Sequence, residues 1–322
     1  MFMVRYMTIY VAGRINIDIF IEIDGILSRG RKYRGRILFT DVGGTAANIA
    51  TSIARIDKNL KPKLLGAVGR DYEQFVYEKL GLEGIDLQHL KVLEGETGKA
   101  YIFMEPGGES TIITLPGVND LYEEHYVPNR IDDAKALAIC NTTRSVAIKL
   151  IEMARITDIP IFIDPHNLWP DIVEFIKRTS RTCFYLPNEH ELAIYAKVDV
   201  DNIFSIKKYS EEIGCSIIVK MGEKGAIGIH DSNVIKVSAL PLEGLGLKVL
   251  STAGCGDTFT GVFIAVYLKK QDVVEALKYA TVAAGVKATR ISSRASPSMN
   301  ELLNVVEIVE RRNLIDLKIM EI

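Results

Sequence analysis

Two patterns of apolar residues along this chain predict two kinds of strand. From residue 16 to residue 24 polar and apolar residues alternate, with Phe20 as the one exception, which is typical of a strand with one face in water. Residues 8–12 form a short apolar run, as expected for a buried first strand. Residues 97–104 and 110–115 predict two more strands, joined by the Pro-Gly-Gly run at 106–108. With residues 14–40, they are expected to build a small β lid.

Beyond about residue 120, predicted strands and helices alternate. The strands cover residues 136–140, 160–164 and 183–186, and the helices that follow cover 145–155, 170–178 and 189–196. This alternation is typical of βαβ units with a parallel sheet covered on both faces. We therefore expect a large α/β domain made of residues 1–13, 41–95 and 117–322, with a lid of residues 14–40 and 96–116 inserted in it.

A glycine-rich turn at residues 251–257 (Ser-Thr-Ala-Gly-Cys-Gly-Asp) opens into an apolar predicted helix. Gly254 and Gly256 allow a sharp bend and a close approach to a ligand. The amides of residues 254–257 then lie at the positive end of the helix dipole, where an anion is stabilised. A carboxylate there, Asp257, is suited to accept a proton from an alcohol during phosphoryl transfer. The alternative is a plain helix cap, stabilising by roughly 1 kcal/mol.

Other candidate residues lie on predicted strands or just after them, and ligands of a parallel sheet gather at the carboxyl ends of its strands. Asn16 and Asp18 share one face of the second strand, and solvation of that face is the alternative interpretation. Gly43 and Gly44 lead into a helix with Asn48 in its first turns. Asn188 and Glu191 have the spacing of a capping box. A strand, a glycine turn and a return strand contribute Lys220, Gly222 and Gly225.

The two glycine turns together resemble the signatures of the ribokinase-like (phosphofructokinase-B type) family of sugar and nucleoside kinases. One signature is the Gly-Gly-Thr-Ala-Ala-Asn run at 43–48, and the other is the turn at 251–257. They lie about 200 residues apart and in the order that the family shows. The resemblance extends to residue 290. It implies a three-layer α/β sandwich with a mostly parallel sheet and a small β-sheet lid.

The resemblance also implies roles for single residues. Asp257 would be the catalytic base, with Gly254, Cys255 and Gly256 as the anion hole. The substrate would contact Asn16, Asp18, Gly43, Gly44 and Asn48. ATP would contact Asn188, Lys220, Gly222 and Gly225, and Glu191 would steer Mg²⁺ through its water shell. ATP and Mg²⁺ are thus the implied cofactors.

Four positions depart from the family pattern. Ser251 stands where the family usually has Asp, and Cys255 where it usually has Ala. Lys220 replaces a usual Thr, as in several nucleoside-kinase-like relatives. Thr45 stands where ribose-specific members tend to carry Lys, and residues 98–103 are more similar to archaeal nucleoside kinases.

The composition excludes several classes of protein. A formal net charge of −2 over 322 residues gives no basic excess for nucleic acid or an anionic membrane, so we expect neither partner. The basic run at 28–36 is expected to be a solvated turn. The four cysteines form no C-x-x-C pair, which favours neither structural zinc nor a disulfide framework and indicates a cytoplasmic protein. The chain contains no G-x-x-x-x-G-K-[ST], which excludes a P-loop kinase. It has no G-x-G-x-x-G after the first strand, so a dinucleotide-dependent dehydrogenase is poorly supported.

The sequence therefore predicts an ATP-dependent kinase that phosphorylates a primary hydroxyl of a nucleoside or ribose-like sugar. A hexose or ketodeoxygluconate kinase of the same family is the alternative substrate assignment, and residues 164–169 (Asp-Pro-His-Asn-Leu-Trp) vaguely resemble the latter. A non-catalytic sugar- or nucleotide-binding module is the alternative from another class. A homodimer formed through the lid is a further expectation.

Overall fold

A ten-stranded sheet and a separate four-stranded sheet organise the chain. The computed structural model describes residues 6–105, 110–165, 172–177 and 182–321. The strands are β1 (Met7–Ala12), β2 (Asn16–Ile23), β3 (Gly35–Gly43), β4 (Leu60–Gly69), β5 (Leu90–Leu93), β6 (Gly98–Met104), β7 (Ser110–Leu115), β8 (Ala134–Cys140), β9 (Ile161–Asp164), β10 (Cys183–Tyr185), β11 (Ser216–Lys220), β12 (Ala226–His230), β13 (Asn233–Val237) and β14 (Leu317–Glu321).

The large sheet is parallel over most of its width. Its strand order is β14-β13-β12-β11-β10-β9-β8-β1-β4-β5, and all pairs from β11 to β5 are parallel. The last three strands, β12 to β14, add as an antiparallel edge. β1 is an interior strand whose two edges pair with β4 and with β8, a strand from far along the chain.

Helices cover both faces of the large sheet. They are α1 (Thr45–Ile56), α2 (Glu73–Gly81), α3 (Arg144–Thr157), α4 (Ile172–Ile176), α5 (Glu189–Tyr195), α6 (Ile203–Ile213), α7 (Cys255–Lys270), α8 (Val273–Ala288) and α9 (Met299–Arg311). Apolar residues of α1, α2, α7, α8 and α9 pack on one face together with Ile9 and Val11 of β1. Those of α3 to α6 pack on the other face with Tyr10 and Ala12. The alternation along β1 thus divides the core into two layers, which confirms the three-layer α/β expectation.

The small sheet has the order β3-β2-β6-β7, with β2 and β6 parallel and the outer pairs antiparallel. Phe20 and Ile102 of this sheet pack with Ala253 of the glycine-rich turn. The two regions therefore touch where the sequence predicts substrate. The basic run at 28–36 is exposed apart from Tyr33, as expected for a solvated turn.

Several elements have no counterpart in the sequence prediction: β3, β5, β13, β14, α6 and α9. Every residue of β14 is exposed, so no burial pattern marks it, and it is a strand because it pairs with β13. Some predictions fall outside the described residues, namely the 106–108 connection, positions 166–169 of the ketodeoxygluconate-like segment, and positions 170, 171 and 178 of the predicted helix 170–178.

The cysteine prediction was wrong for one pair. Cys183 and Cys215 form a disulfide although they are 32 residues apart and follow no spacing motif. The sheet register explains it: Phe184 lies opposite Ser216, so the two cysteines just before them also lie opposite each other. Their Cα atoms are 4.7 Å apart, within the range that a disulfide spans.

None of the helices in the described part of the chain combines the length and apolar content that crossing a membrane requires.

Candidate active site

The glycine-rich turn ends in a left-handed residue that starts α7. Gly254 has φ +79° and occupies the N-cap position, and its carbonyl accepts the first helical hydrogen bond from the Thr258 amide (2.9 Å). A Cβ on Gly254 would lie 2.0 Å from the carbonyl oxygen of Ser293. Only glycine therefore fits here, and the turn is pressed against the loop at 290–296. The amides that follow Gly254 are those that lack acceptors within a helix.

Asp257 lies in the first turn of α7 and is not its N-cap, which is Gly254. Its Oδ2 accepts a hydrogen bond of 2.7 Å from the side-chain amide of Asn48 in α1. The two helices meet very closely, because a Cβ on Gly261 of α7 would lie 2.5 Å from the Cβ of Ser52 in α1. This contact brings together the two glycine turns, which lie about 200 residues apart. The carbonyl oxygen of the Asn48 side chain is buried with no partner among the described residues.

Asp18 is buried beside Gly43, with 3% of its surface exposed. The hydroxyl of Ser293 donates to its Oδ2, while Oδ1 is buried without a partner in the described chain. Burial raises the pKa of Asp18 to about 7; the Ser293 hydrogen bond opposes the shift, and the negative charges of Asp257 and Asp41 add to it. Solvation of this strand face is thus the wrong interpretation for Asp18, and an unsatisfied carboxylate oxygen suits a ligand hydroxyl.

Asn16 is also buried, and it lies in register with Gly43 on β3 and Gly98 on β6. Its Oδ1 accepts from the side-chain amide of Asn119 at 3.0 Å. A Cβ on Gly98 would approach that Oδ1 to 2.5 Å. The Asn16 side chain is therefore fixed by its surroundings rather than solvated.

The backbone at Gly43 and Gly44 connects these groups. A Cβ on Gly43 would lie 2.0 Å from Oδ2 of Asp18. Gly44 has φ +87° and is the N-cap of α1, where a Cβ would lie 2.6 Å from the carbonyl oxygen of Arg14. Both positions require the absence of a side chain. Asn16 and Asp18 lie against them, and Asn48, whose main-chain amide donates to the Gly44 carbonyl, connects them to Asp257.

Lys220 forms a buried ion pair next to the turn. Its Nζ donates to Oδ2 of Asp164 at 2.7 Å, and the Thr260 hydroxyl of α7 donates to the same oxygen at 2.7 Å. Burial lowers the pKa of Lys220, but the charges of Asp164, Glu191 and Asp257 raise it more, and the net shift is upward. The Nζ is 3.9 Å from where a Gly256 Cβ would be. A fixed positive charge thus lies beside the anion-hole candidate.

Asn188 and Glu191 form the predicted capping box at the start of α5. The Glu191 amide donates to Oδ1 of Asn188, and the Asn188 amide donates to Oε2 of Glu191, each at 2.8 Å. Asn188 bridges to Lys220 on the neighbouring strand. Both residues therefore lie just beyond the carboxyl end of β10, beside Lys220 at the end of β11.

The two glycines of the 222–225 turn differ in their surroundings. Gly222 has φ +55°, and no atom lies within 4 Å of an added Cβ. Gly225 has φ +97°, and an added Cβ would lie 2.0 Å from the carbonyl oxygen of Val237. Gly222 thus leaves open space for a ligand, whereas Gly225 is needed to close the β11–β12 connection.

In the described residues, no group of three or more His, Cys, Asp or Glu side chains is arranged to hold a metal ion. A magnesium ion bound here would take most of its ligands from water and substrate phosphates, as this ion commonly does. Glu191, whose charge acts on the neighbouring Lys220, is the carboxylate of this region that would contact such waters.

Two surface cavities lie elsewhere. One of about 280 Å³ is lined by the Cys183–Cys215 disulfide, His230 and Tyr267, and one of about 350 Å³ by residues of β12, β13 and the start of β14. Asp257, Asp18 and Asn48 line neither cavity.

The structure adds residues that the sequence prediction missed: Asn119, Asp164, Thr260, Lys287 and Ser293. Asp164 had a signal, because it ends a buried strand and precedes proline. Ser293 and Asn119 had none, since they meet Asp18 and Asn16 from 275 and 103 residues away.

The parallel sheet, the small second sheet and the polar residues at the strand ends define an α/β enzyme that acts on a small molecule. Residues 8–299 match the pfkB family carbohydrate kinases, and the chain belongs to this family. It is therefore an ATP-dependent kinase of sugars or nucleosides.

Relatives of known activity agree in length with this chain. The ATP-dependent ribose-1-phosphate kinase of Halopiger xanaduensis is 26% identical over 291 residues, which cover 89% of this chain and 94% of the relative. The ribokinase of Haemophilus influenzae is 26% identical over 308 residues, 93% of this chain and 98% of its own.

The fold is that of solved ribokinase-family structures. The Methanocaldococcus jannaschii nucleoside kinase has a TM-score of 0.78 at 20% identity, covering 94% of this chain and 99% of its own. The Cryptococcus neoformans var. grubii ribokinase, solved with ADP, has a TM-score of 0.76 at 23% identity, covering 93% and 99%.

Proposed function

We propose that this kinase transfers the terminal phosphoryl group of ATP to a primary hydroxyl of a nucleoside or ribose-like sugar, with Asp257 as general base. One observation carries the proposal: the Asp257 carboxylate is held at 2.7 Å by the Asn48 amide, and α1 and the Gly43 turn lead from Asn48 to Asp18. A base, an anion-binding helix start and hydroxyl acceptors are then found at one place.

Each group has a separate task in this reaction. The substrate is oriented by Asp18, Asn16 and the backbone at Gly43 and Gly44. These groups accept hydrogen bonds from its hydroxyls and donate hydrogen bonds to them. Asp257 takes the proton of the reacting hydroxyl, and Asn48 aims its carboxylate. The amides of Gly254, Cys255 and Gly256 stabilise the negative charge that develops during transfer. The small sheet, as a lid, excludes water that would otherwise hydrolyse ATP.

The residues of the nucleotide region fit a triphosphate. Lys220 supplies a buried positive charge beside Gly256, Gly222 leaves open space, and Asn188 lies next to Lys220. When bound, ATP supplies the phosphoryl group and Mg²⁺ neutralises phosphate charge, with Glu191 contacting the ion through water.

The substrate assignment draws on the sequence and on the relatives. Thr45 replaces the lysine typical of ribose-specific members, which favours a nucleoside or modified ribose. The two relatives above are named for ribose 1-phosphate and ribose, both with a ribose ring. Solved relatives of the same fold contain ribose or inosine. Hexoses and ketodeoxygluconate remain the alternative acceptors.

A coupled assay of ADP release tests the proposal, with nucleosides, ribose, ribose 1-phosphate, fructose and ketodeoxygluconate as acceptors. We expect one ribose-containing acceptor to stimulate ATP turnover well above the others. Preference for fructose or ketodeoxygluconate would replace the substrate assignment. Binding of these ligands without ADP release from any of them would identify a non-catalytic binding module instead.

The lid also underlies the proposed homodimer. β7 is the outermost strand of the small sheet in the described chain, so it offers a second copy an unpaired edge, and its Ile112, Ile113 and Leu115 are exposed. In sedimentation experiments, we expect the wild-type chain to be a dimer and Ile113→Lys to be a monomer.

A further inference from the structure

One lysine in the core has no role in the mechanism above. Lys287, near the end of α8, has 0% of its surface exposed and is among the largest fully buried side chains. Its Nζ donates to two main-chain carbonyl oxygens, that of Ser251 at 3.0 Å and that of Arg290 at 3.1 Å. Burying an ammonium group is costly, so a core position of this kind calls for an explanation.

These two carbonyls belong to different segments of the site. Ser251 is the first residue of the glycine-rich turn, and Arg290 begins the loop that carries Ser293. That loop touches the site twice, because the Ser293 carbonyl lies against Gly254 and its hydroxyl donates to Asp18. The glycine-rich turn carries the anion-hole amides, and the 290–296 loop holds Asp18. The Lys287 ammonium therefore connects these two segments.

The charge of the ammonium also acts on the site. Burial lowers the pKa of Lys287 below its ordinary value, and the electrostatic interactions with Cys255, Asp257 and Asp18 oppose this shift only in part. The Lys287 ammonium thus interacts electrostatically with Asp257, the proposed base, and with Asp18, which is proposed to bind the substrate. It lies on the same side as the positive end of the α7 dipole.

We propose that Lys287 is a positioning residue: its buried ammonium is an internal cation that fixes the glycine-rich turn against the 290–296 loop and strengthens the anion-binding end of α7. The inference rests on the proposed function for its kinetic consequence only. Two carbonyl oxygens around one cation form a site that a free ammonium ion fits once the lysine nitrogen is removed.

The first test is Lys287→Met, which keeps the side-chain length to the ε position and removes only the charged nitrogen. We expect kcat to fall about ten- to hundredfold, since small displacements of catalytic groups have effects of this size. Ammonium chloride is expected to restore a large part of kcat, whereas tetramethylammonium chloride at equal ionic strength is not, because that ion is too bulky. The wild-type kcat should be the same in both salts.

Lys278→Met is the matched control, because Lys278 is on the same helix and pairs with Glu275 and Glu310 away from the turn. It should keep the wild-type kcat and show no ammonium effect. Full kcat of Lys287→Met in tetramethylammonium, or a loss that ammonium does not relieve in a folded variant, would overturn the proposal. If Lys287→Met fails to fold, Lys287→Gln keeps two donors without the charge and is subject to the same criteria.

A second measurement does not depend on catalysis. Ammonium should raise the Tm of Lys287→Met relative to tetramethylammonium and leave the Tm of the wild type and of Lys278→Met unchanged. If the wild type phosphorylates no acceptor, the proposed function fails while this measurement still decides the role of Lys287. An equal response of all three proteins to ammonium refutes the internal-cation site.

Discussion

The side-chain amide of Asn48 donates a hydrogen bond to the carboxylate of Asp257 across 209 residues of sequence. This bond joins the first turns of α1 and α7, and it leaves the Asn48 carbonyl oxygen buried without a partner in the described chain. A donor held on one carboxylate oxygen orients the carboxylate without neutralising it.

Asp257→Asn should lower kcat by about 10²–10⁴, as expected for a lost general base. An asparagine still offers an oxygen to Asn48, so the Tm should change little. The matched control is Asp231→Asn, an exposed residue with φ +51°, a conformation that asparagine tolerates. Steady-state kinetics with saturating ATP measure both variants, and near-normal turnover of Asp257→Asn would exclude its role as the base.

Asp18 predicts a pH dependence of stability. Its pKa is raised by burial to about 7, above the unfolded value near 4, so the folded state binds the proton more tightly. The stabilisation is therefore complete below pH 4 and is lost as pH rises through 7, by at most about 1.4 kcal/mol per pH unit. Asp18→Asn removes this loss.

Urea unfolding at pH 4 to 8 measures the effect. The difference in unfolding free energy between Asp18→Asn and the wild type should increase in favour of the variant as pH rises from 4 to 7. A difference that stays flat over this range would contradict the raised pKa.

Gly43→Ala should displace the carboxylate of Asp18, which is proposed to bind the substrate, because the new Cβ would lie 2.0 Å from its Oδ2. We expect the KM of the acceptor to rise up to about 100-fold with little change in the KM of ATP. Strain should also lower the unfolding free energy by about 1–3 kcal/mol. Gly81→Ala, in open space at the end of α2, is the control and should leave both KM values unchanged. Equal effects on the two substrates would place Gly43 outside the acceptor site.

The Cys183–Cys215 disulfide should stabilise the fold by about 3–4 kcal/mol, given the length of the loop that it closes. Reduction of the wild type, and Cys215→Ser, should each lower the unfolding free energy by this amount in urea. The Cys215→Ser variant should no longer respond to reductant. If the reductant leaves the wild type as stable as before, the bond makes no contribution.

The sequence predicted those parts of the fold that local patterns specify. The alternation at 16–24 located β2 within one residue, and the glycine turn located the start of α7. β14 and the disulfide escaped prediction because partners from elsewhere in the chain determine them. Exposed residues of β14 become a strand by pairing with β13, and the two cysteines meet through the β10–β11 register.

The candidate site divides in the same way. Residues with a motif, such as Asp257 and Asn48, could be proposed from the sequence because glycines mark their turns. No recognisable motif marks Ser293 or Lys287 in the sequence. Their importance arises from the distances to Asp18 and Ser251, which only the folded arrangement defines.

The strand order has a consequence for synthesis on the ribosome. β1 emerges first, yet it must wait for β8, more than 120 residues later, before both of its edges are paired. Asn48 likewise waits for Asp257. Nascent chains that stall before α7 therefore carry half of the pocket with its apolar helix α1 uncovered, and these are the species most prone to aggregation and to capture by chaperones.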